Sequence, residues 1–438
     1  MERAMLVQLR MTRRWRCGDV GVTRMVSLAG QAIRQSSQGP YRQGPYGVAA
    51  RSRVRRRTRC LPWLLVLLAA CATGRRARND ARWTIPRTVA DSITSERLAS
   101  GVWLHHLVRT SVPLRVHVLD VDLASCVSVR ALKGGSTAVG RTTTSDLLRA
   151  VASSDTPLAA VNADFFLFAP PGVPVGALVR SGQVIAGPID RPVIAFDASN
   201  RPFIGVMRAA GTLTTSRARV PVITWNRPTA NAIGVVDAAW GQALDSLSRP
   251  GAMMLVPLGE RRYRIAPVPL AHSGLARGDT LMLVGSARAS LLERDTVRVE
   301  VALGPVAPLE VVGGFPMLVH DSVIVTGVDS MGAASFRAVN PRTAAGFAAN
   351  GRRLLLVVID GRQNGYSAGT TTRETAALLR DLGAREALNL DGGGSTAMVV
   401  RRADTGFVQL VNRPSDAAGE RPVADALAVL GVCRASRP

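Results

Sequence analysis

The chain has 438 residues, 55 Lys+Arg against 31 Asp+Glu, five His and five Cys. A hydrophobic share of 47% with 20% charged residues excludes a disordered or collagen-like chain, and five cysteines exclude a disulfide scaffold. The net charge of +24 raises nucleic acid as a partner, but residues 1–70 hold 14 Arg against only Glu2 and Asp19, which is half the excess. Lys133 is the one lysine, so the basic balance reflects Arg usage throughout, and no zinc-finger spacing or aromatic RNA-binding strand accompanies it.

Residues 1–70 read as a leader. Arg51, Arg53, Arg55, Arg56, Arg57 and Arg59 precede the apolar run Leu61–Ala70, which is too short to span a bilayer. A basic flank, a short apolar core and small residues before Cys71 describe a secretory signal over 51–70. Leu68-Ala69-Ala70-Cys71 resembles a bacterial lipobox, which implies lipidation of Cys71 and a membrane anchor. Residues 1–50 lack any regular period and read as an over-long start. The expected destination is that of an exported bacterial lipoprotein, on the periplasmic side of the outer membrane or in the cell envelope. Export would permit a Cys126–Cys433 disulfide; two free thiols is the alternative.

Residues 71–101 read as a lipidated tether and linker, and 102–435 as the working domain. Period-two stretches at Val102–Val108, Leu114–Val121 and Val127–Leu132 predict strands, as do Ala159–Phe166, Gly176–Ile185 and Pro192–Phe196. Residues 205–305 add short strands broken by Pro and Gly, in the manner of an insertion or subdomain. The continuous apolar run Leu354–Asp360 predicts a strand buried on both faces. Thr371 and Glu374 have capping-box spacing and Gly383 supplies a C-cap, so a helix is expected over 372–382. Glu386–Asp391 is the next strand. Strand, helix, strand predicts a right-handed crossover with parallel pairing, ending Asp360 and Asp391 on one sheet edge. The fold class is therefore α+β or mixed α/β: a strand-rich mixed sheet with few helices and one βαβ crossover in the C-terminal third.

Asn389-Leu-Asp-Gly-Gly-Gly-Ser-Thr396 is the sharpest local feature. Gly392, Gly393 and Gly394 permit positive φ and close backbone approach, and their N–H groups could cradle an anion; a tight connection with an Asx turn at Asp391 is the plainer reading. Other short motifs stand around it in order: Ala160-Val-Asn-Ala-Asp-Phe-Phe166, Val312-Gly-Gly-Phe-Pro316, Asn340-Pro-Arg-Thr343, Asp360-Gly-Arg-Gln363 and Arg421-Pro-Val. Together they resemble the phosphodiester glycosidase family, from about Val102 to Val432 and most strongly over 340–426. Asn162-Ala-Asp-Phe-Phe166 departs from the family's commoner Asn-Gly-Gly-Phe-Phe, which leaves Asp164 as an added ligand group or a turn residue.

The resemblance implies hydrolysis of a sugar-1-phosphodiester, with a phosphorylated carbohydrate or envelope glycan as partner. Breaking the bond from anomeric carbon to phosphate oxygen builds oxocarbenium-like charge that a carboxylate can stabilise, attack, or relieve by activating water. The phosphate leaving group needs charge stabilisation more than protonation, which suits Arg. Asp360 and Asp391 are the leading carboxylates; about 5–5.5 Å between them would favour retention and a longer gap inversion. Arg342, Arg362 and Arg421 are candidates for the phosphate. Asn162, Gly314, Thr343, Asn389, Ser395 and Thr396 are candidates for substrate hydroxyls or phosphate. Glu374 is a catalytic candidate that the capping box also explains, Asp416 looks like a turn, and Glu420 either orients Arg421 or is an acid of the site. His105 and His106 face opposite sides of a strand, and His117, His272 and His320 lack metal-ligand spacing. No cofactor is required by the sequence, although paired Asp beside phosphate would also suit Mg²⁺ or Ca²⁺. A metal-dependent phosphodiesterase and a non-catalytic glycan-binding lipoprotein are the competing functions.

Overall fold

The computed structural model describes residues 84–152, 155–227, 233–241, 252–268, 280–283, 296–348 and 350–432. The basic cluster, the apolar run, Cys71 and His272 lie outside them. Strands dominate, with two helices of regular α geometry, Thr144–Arg149 and Thr372–Asp381, among the described residues.

Two sheets carry the site. The first has eight strands in the order Ser92–Ala99, Val102–Arg109, Leu114–Asp122, Arg353–Ile359, Arg342–Ala348, Ala384–Asn389, Met317–His320 and Val323–Ile324. Every neighbouring pair is antiparallel. The second runs Val408–Leu410, Met398–Arg401, Thr156–Asn162, Asp425–Gly431 and Val127–Lys133, again antiparallel throughout. Alternating residues from both fill one core, including Leu104, Leu119, Leu356 and Val358 of the first and Val129, Val161, Met398 and Leu427 of the second. The opposite face of the first sheet packs on the Thr372–Asp381 helix through Ala376, Leu379 and Leu382.

Two expectations change: where the folded domain begins and how the strands around the helix pair. Strand Ser92–Ala99 is part of the first sheet, so the folded domain begins ahead of residue 102 and takes in the end of the expected linker. Residues 208–304 contribute the strands of a separate eight-stranded sheet, with a cluster of its own around Leu213, Leu255, Ile265 and Val297. The strands on either side of the Thr372–Asp381 helix do run parallel, but they do not pair. Strand Arg342–Ala348 lies between them, antiparallel to both. The shared edge survives this correction, because Arg342 pairs with Ile359 and Ala344 with Asn389. The C-terminal ends of the outer two strands and the N-terminal end of the middle one therefore point the same way.

Cys126 is disulfide-bonded, and its partner lies outside the described residues. The ladder continues from Gly431↔Val127 to a hydrogen bond from Val432 N–H to the Cys126 carbonyl, which brings the C-terminal segment alongside it.

Candidate active site

The two sheets meet through Asn162, at the end of its strand. Its Oδ1 accepts from Thr343 Oγ1 at 2.7 Å and from the Ala397 amide at 3.0 Å, while its Nδ2 donates to the Asp391 carbonyl at 2.7 Å. The Asp391 amide in turn donates to Ala163 O. Asn162 and Thr343 thus clamp the backbone at Asp391. Gly314 does similar service by close approach: a Cβ there would stand 2.6 Å from the Asn389 carbonyl.

Beyond the clamp comes the turn 392–396. Gly393 has φ +61, which favours glycine, and a Cβ on Gly394 would stand 2.2 Å from Arg421 Nη2 and Asp416 Oδ1, so a side chain there would displace that pair. The expected amide cradle does not form from the amides whose partners are set. Gly392 N–H donates to the Asp391 carboxylate, Gly393 N–H to Pro341 O, Ser395 N–H to Gly392 O and Thr396 N–H to Gly393 O. Positive charge comes instead from guanidinium groups. Arg421 lies against Gly394, held at 2.8 and 3.0 Å by both carboxylate oxygens of Asp416, with Ser395 Oγ at 3.5 Å. Arg362 lies against Gly393, its Nη2 3.2 Å from where a Cβ would sit, and donates from Nε to Asn340 Oδ1. It is exposed and has no carboxylate partner among the described residues.

Asp391 is the carboxylate at the centre of this turn. Protein crowds it closely enough that lost hydration raises its pKa to about 6, against the pull of Ser395, the Gly392 amide and Arg421 and with the push of Asp425. Behind it lie two buried acids: Asp425, which the sequence did not single out, and Asp164, whose carboxylate is spent on backbone amides inside the protein rather than offered as a ligand group. Asp425, at the start of its strand, accepts the Asp164 amide at 2.7 Å; Asp164 accepts from the amides of Phe165 and Gly176. Burial and mutual repulsion raise the pKa of Asp164, and burial raises that of Asp425. Lys133 lies near, donating to the carbonyls of Gly140 and Gly172, and burial brings its ammonium down to about 8. Asp425 Oδ2, Asn389 Oδ1 and Thr396 Oγ1 are buried without a protein hydrogen-bond partner, and all belong to segments around Asp391. Asn389 Nδ2 is spent on Phe315 O and Leu390 O.

Four sequence candidates are placed elsewhere. Asp360 ends its strand on the expected edge, yet its carboxylate is fully buried. It accepts from Asn412 Nδ2 (3.2 Å), the Arg413 amide (3.0 Å), His117 Nε2 (3.1 Å) and Tyr366 OH (3.3 Å). Four donors leave it no access to a substrate; it supports the 412–413 turn, where Asn412 also donates to Thr396 O. Arg342 is buried and donates to four carbonyls, of Thr370, Ser335, Phe336 and Ala338. Desolvation and the neighbouring Arg362 charge bring its pKa down to about 10. It pins the 335–340 turn, against the expectation that it would take a phosphate. Glu374 closes the capping box with Thr371 and lines a depression with Arg109, Leu114 and Asp381 that Asp391, Ser395 and Arg421 do not line. Glu420 accepts from Ser145 N–H and Oγ at the start of the short helix, and Asp416 is the acid that orients Arg421. Among the described residues no group of three or more His, Cys, Asp or Glu is placed to hold a metal ion.

Residues 285–430 match the family model described as phosphodiester glycosidase. Over those residues, a third of the chain, the sequence is similar to that family. The match covers both guanidinium groups and Asp391, and its description names the bond class, a glycosidic linkage in a phosphodiester. Among solved structures, a hypothetical protein from Synechocystis superposes with TM-score 0.63 at 22% identity, covering 78% of this chain. Because that match takes in 64% of the Synechocystis chain, the present chain spans less than two thirds of that relative. A Burkholderia pseudomallei protein, provisionally described as exported, gives TM-score 0.56 at 29% identity, covering 73% of this chain and 74% of that one. The catalytic domain of zebrafish N-acetylglucosamine-1-phosphodiester alpha-N-acetylglucosaminidase, auto-inhibited by its pro-peptide, gives TM-score 0.41 at 15% identity, covering 77% and 83%. Among curated proteins none matches the sequence.

Proposed function

We propose that this protein is an exported hydrolase that cleaves the bond between an anomeric carbon and a phosphate oxygen in a glycan or envelope polymer. The observation that carries this reading is the placing of Arg362 and Arg421 against Gly393 and Gly394, directly after Asp391. A phosphodiester seated on the two guanidinium groups would have its negative charge matched as the bond breaks. The sugar carbon would then face Asp391, whose ionised form can stabilise or attack the developing cation, or take a proton from water. Asp416 holds Arg421 in place, and Asn162 with Thr343 fixes the backbone from which Asp391 projects. Asp425 lies behind, where its charge helps raise the pKa of Asp391, and Lys133 in turn acts on Asp425.

Export and the lipid anchor at Cys71 remain the reading of residues 51–71. An oxidised Cys126 supports it, since disulfides persist in oxidising compartments. The test of the reaction is Asp391→Asn assayed on a sugar-1-phosphodiester such as methyl N-acetylglucosamine-1-phosphate. Hydrolysis is expected to fall roughly a thousandfold or more, as when an essential carboxylate is neutralised. Turnover equal to the unmodified protein would remove Asp391 from the mechanism.

A further inference from the structure

Asp360 touches no substrate, but it is not sealed from solvent electrically. Strands Val102–Arg109 and Leu114–Asp122 pair so that His106 stands opposite His117, and Val358 pairs with His117 two residues before Asp360. All three polar side chains fall on the inner face of the first sheet, in step with Leu104, Leu119 and Val358. His106 Nδ1 is 2.8 Å from His117 Nδ1, and His117 Nε2 is 3.1 Å from Asp360 Oδ2. At the far end His106 Nε2 is 4.0 Å from Glu96 Oε1, and the His106 side chain is 34% exposed. A line of ionisable groups thus crosses four neighbouring strands from a buried carboxylate to the surface.

We infer that His117 and His106 form a proton conduit joining Asp360 to solvent beside Glu96. The hydrogen-bond inventory fixes its direction. An ionised Asp360 only accepts, so His117 Nε2 carries a hydrogen. Neutral His117 then presents a bare Nδ1, and the hydrogen in the Nδ1–Nδ1 contact belongs to His106. His106 Nε2 is left to take up a proton from water or Glu96. When it does, His106 Nδ1–H passes to His117 Nδ1 and His117 Nε2–H passes to Asp360 Oδ2. One proton has entered, both rings are neutral again with exchanged tautomers, and the reverse sequence returns it.

The surroundings favour transit over storage. Burial lowers the pKa of His106, the nearby His117, Arg402 and His105 lower it further, and Glu96 alone raises it. Glu96 is itself paired to Arg402 at 2.7 Å. At the inner end Asp360 faces His117, Tyr366, Asn412 and the Arg413 amide, with the Arg115 and Arg413 guanidinium groups each 5.3 Å from the Tyr366 ring centre. Protonating Asp360 at Oδ2 would leave Oδ1, which accepts from Asn412 and the Arg413 amide, a weaker, uncharged acceptor for the 412–413 turn that supports Thr396. His106 and His117 are in this sense positioning residues for the proposed site, although the conduit itself does not depend on the reaction.

The experiment is ¹⁵N NMR of the full chain with labelled histidine, following exchange between the Nε2–H and Nδ1–H tautomers of His117 and His106, which the relay switches together. A conduit makes the two rings exchange tautomers together and at one rate; rings that keep fixed tautomers, or that switch independently of each other, would overturn the inference. In His106→Phe the tautomer exchange of His117 is expected to slow by about tenfold or more, because only local opening remains. His106→Gln, which can still donate to His117 Nδ1 but cannot relay, should slow it likewise. An unchanged rate in either folded variant also overturns the inference. Asp391→Asn should leave the exchange as it is, which separates this outcome from the fate of the hydrolase reading.

Discussion

A carboxylate is useful in catalysis when its surroundings give it a pKa near the working pH, and Asp391 meets that condition where Asp360 does not meet substrate. With its pKa raised to about 6, Asp391 holds its proton in the folded chain after an unfolded chain has lost it at the ordinary 3.8. Stability is accordingly expected to fall as pH rises from about 4 to about 6. Asp391→Asn should flatten this slope in denaturation measured across that window, without abolishing it, since the raised pKa values of Asp164 and Asp425 act with the same sign. Activity carried by ionised Asp391 should rise through about pH 6, the opposite direction. Arg421→Gln should lower turnover by about a hundredfold, comparable to losing one donor to a developing anion. Asp416→Asn should cause a smaller loss, because the guanidinium stays but is held less firmly. The run Asn389–Thr396 was legible because three glycines after an apolar strand are unusual. Asp416 and Asp425 were not: a single acid in a turn or at a strand start carries no pattern until a partner is placed beside it. Asp360 misled for the same reason, since strand position says where a carboxylate is and nothing about the donors that saturate it.

At the level of elements, capping chemistry read directly. Thr371 and Glu374 exchange the reciprocal hydrogen bonds that their spacing predicts. Thr371→Ala should cost about 1 kcal/mol of stability in urea unfolding and leave hydrolysis of the sugar phosphodiester intact. Strand neighbours read less well. The Arg342–Ala348 strand comes before both strands it separates, and periodicity reports that a segment is a strand without naming its partners. The histidine line was hidden in the same way. Treating 102–108 and 114–121 as a hairpin sets His106 against His117, whereas examining each strand singly sends His105 and His106 to opposite faces and stops there.

On the scale of the molecule, the site exists because the edges of two antiparallel sheets are tied by Asn162, with Asp391 from one sheet facing Asp425 from the other. No local window contains both, which is why composition and periodicity suggested a strand-rich domain but not this junction. The resemblance over 340–426 suggested the chemistry, and burial sorts the candidate residues: Arg342 and Asp360 support turns, and Arg362 and Arg421 are left for the proposed anion. The most direct test is hydrolysis of methyl N-acetylglucosamine-1-phosphate in ¹⁸O-water, with the products weighed by mass spectrometry. Cleavage at the anomeric carbon predicts label in the released sugar and none in the phosphate. Label in the phosphate would show attack at phosphorus and contradict the role assigned to Asp391 and its two guanidinium neighbours.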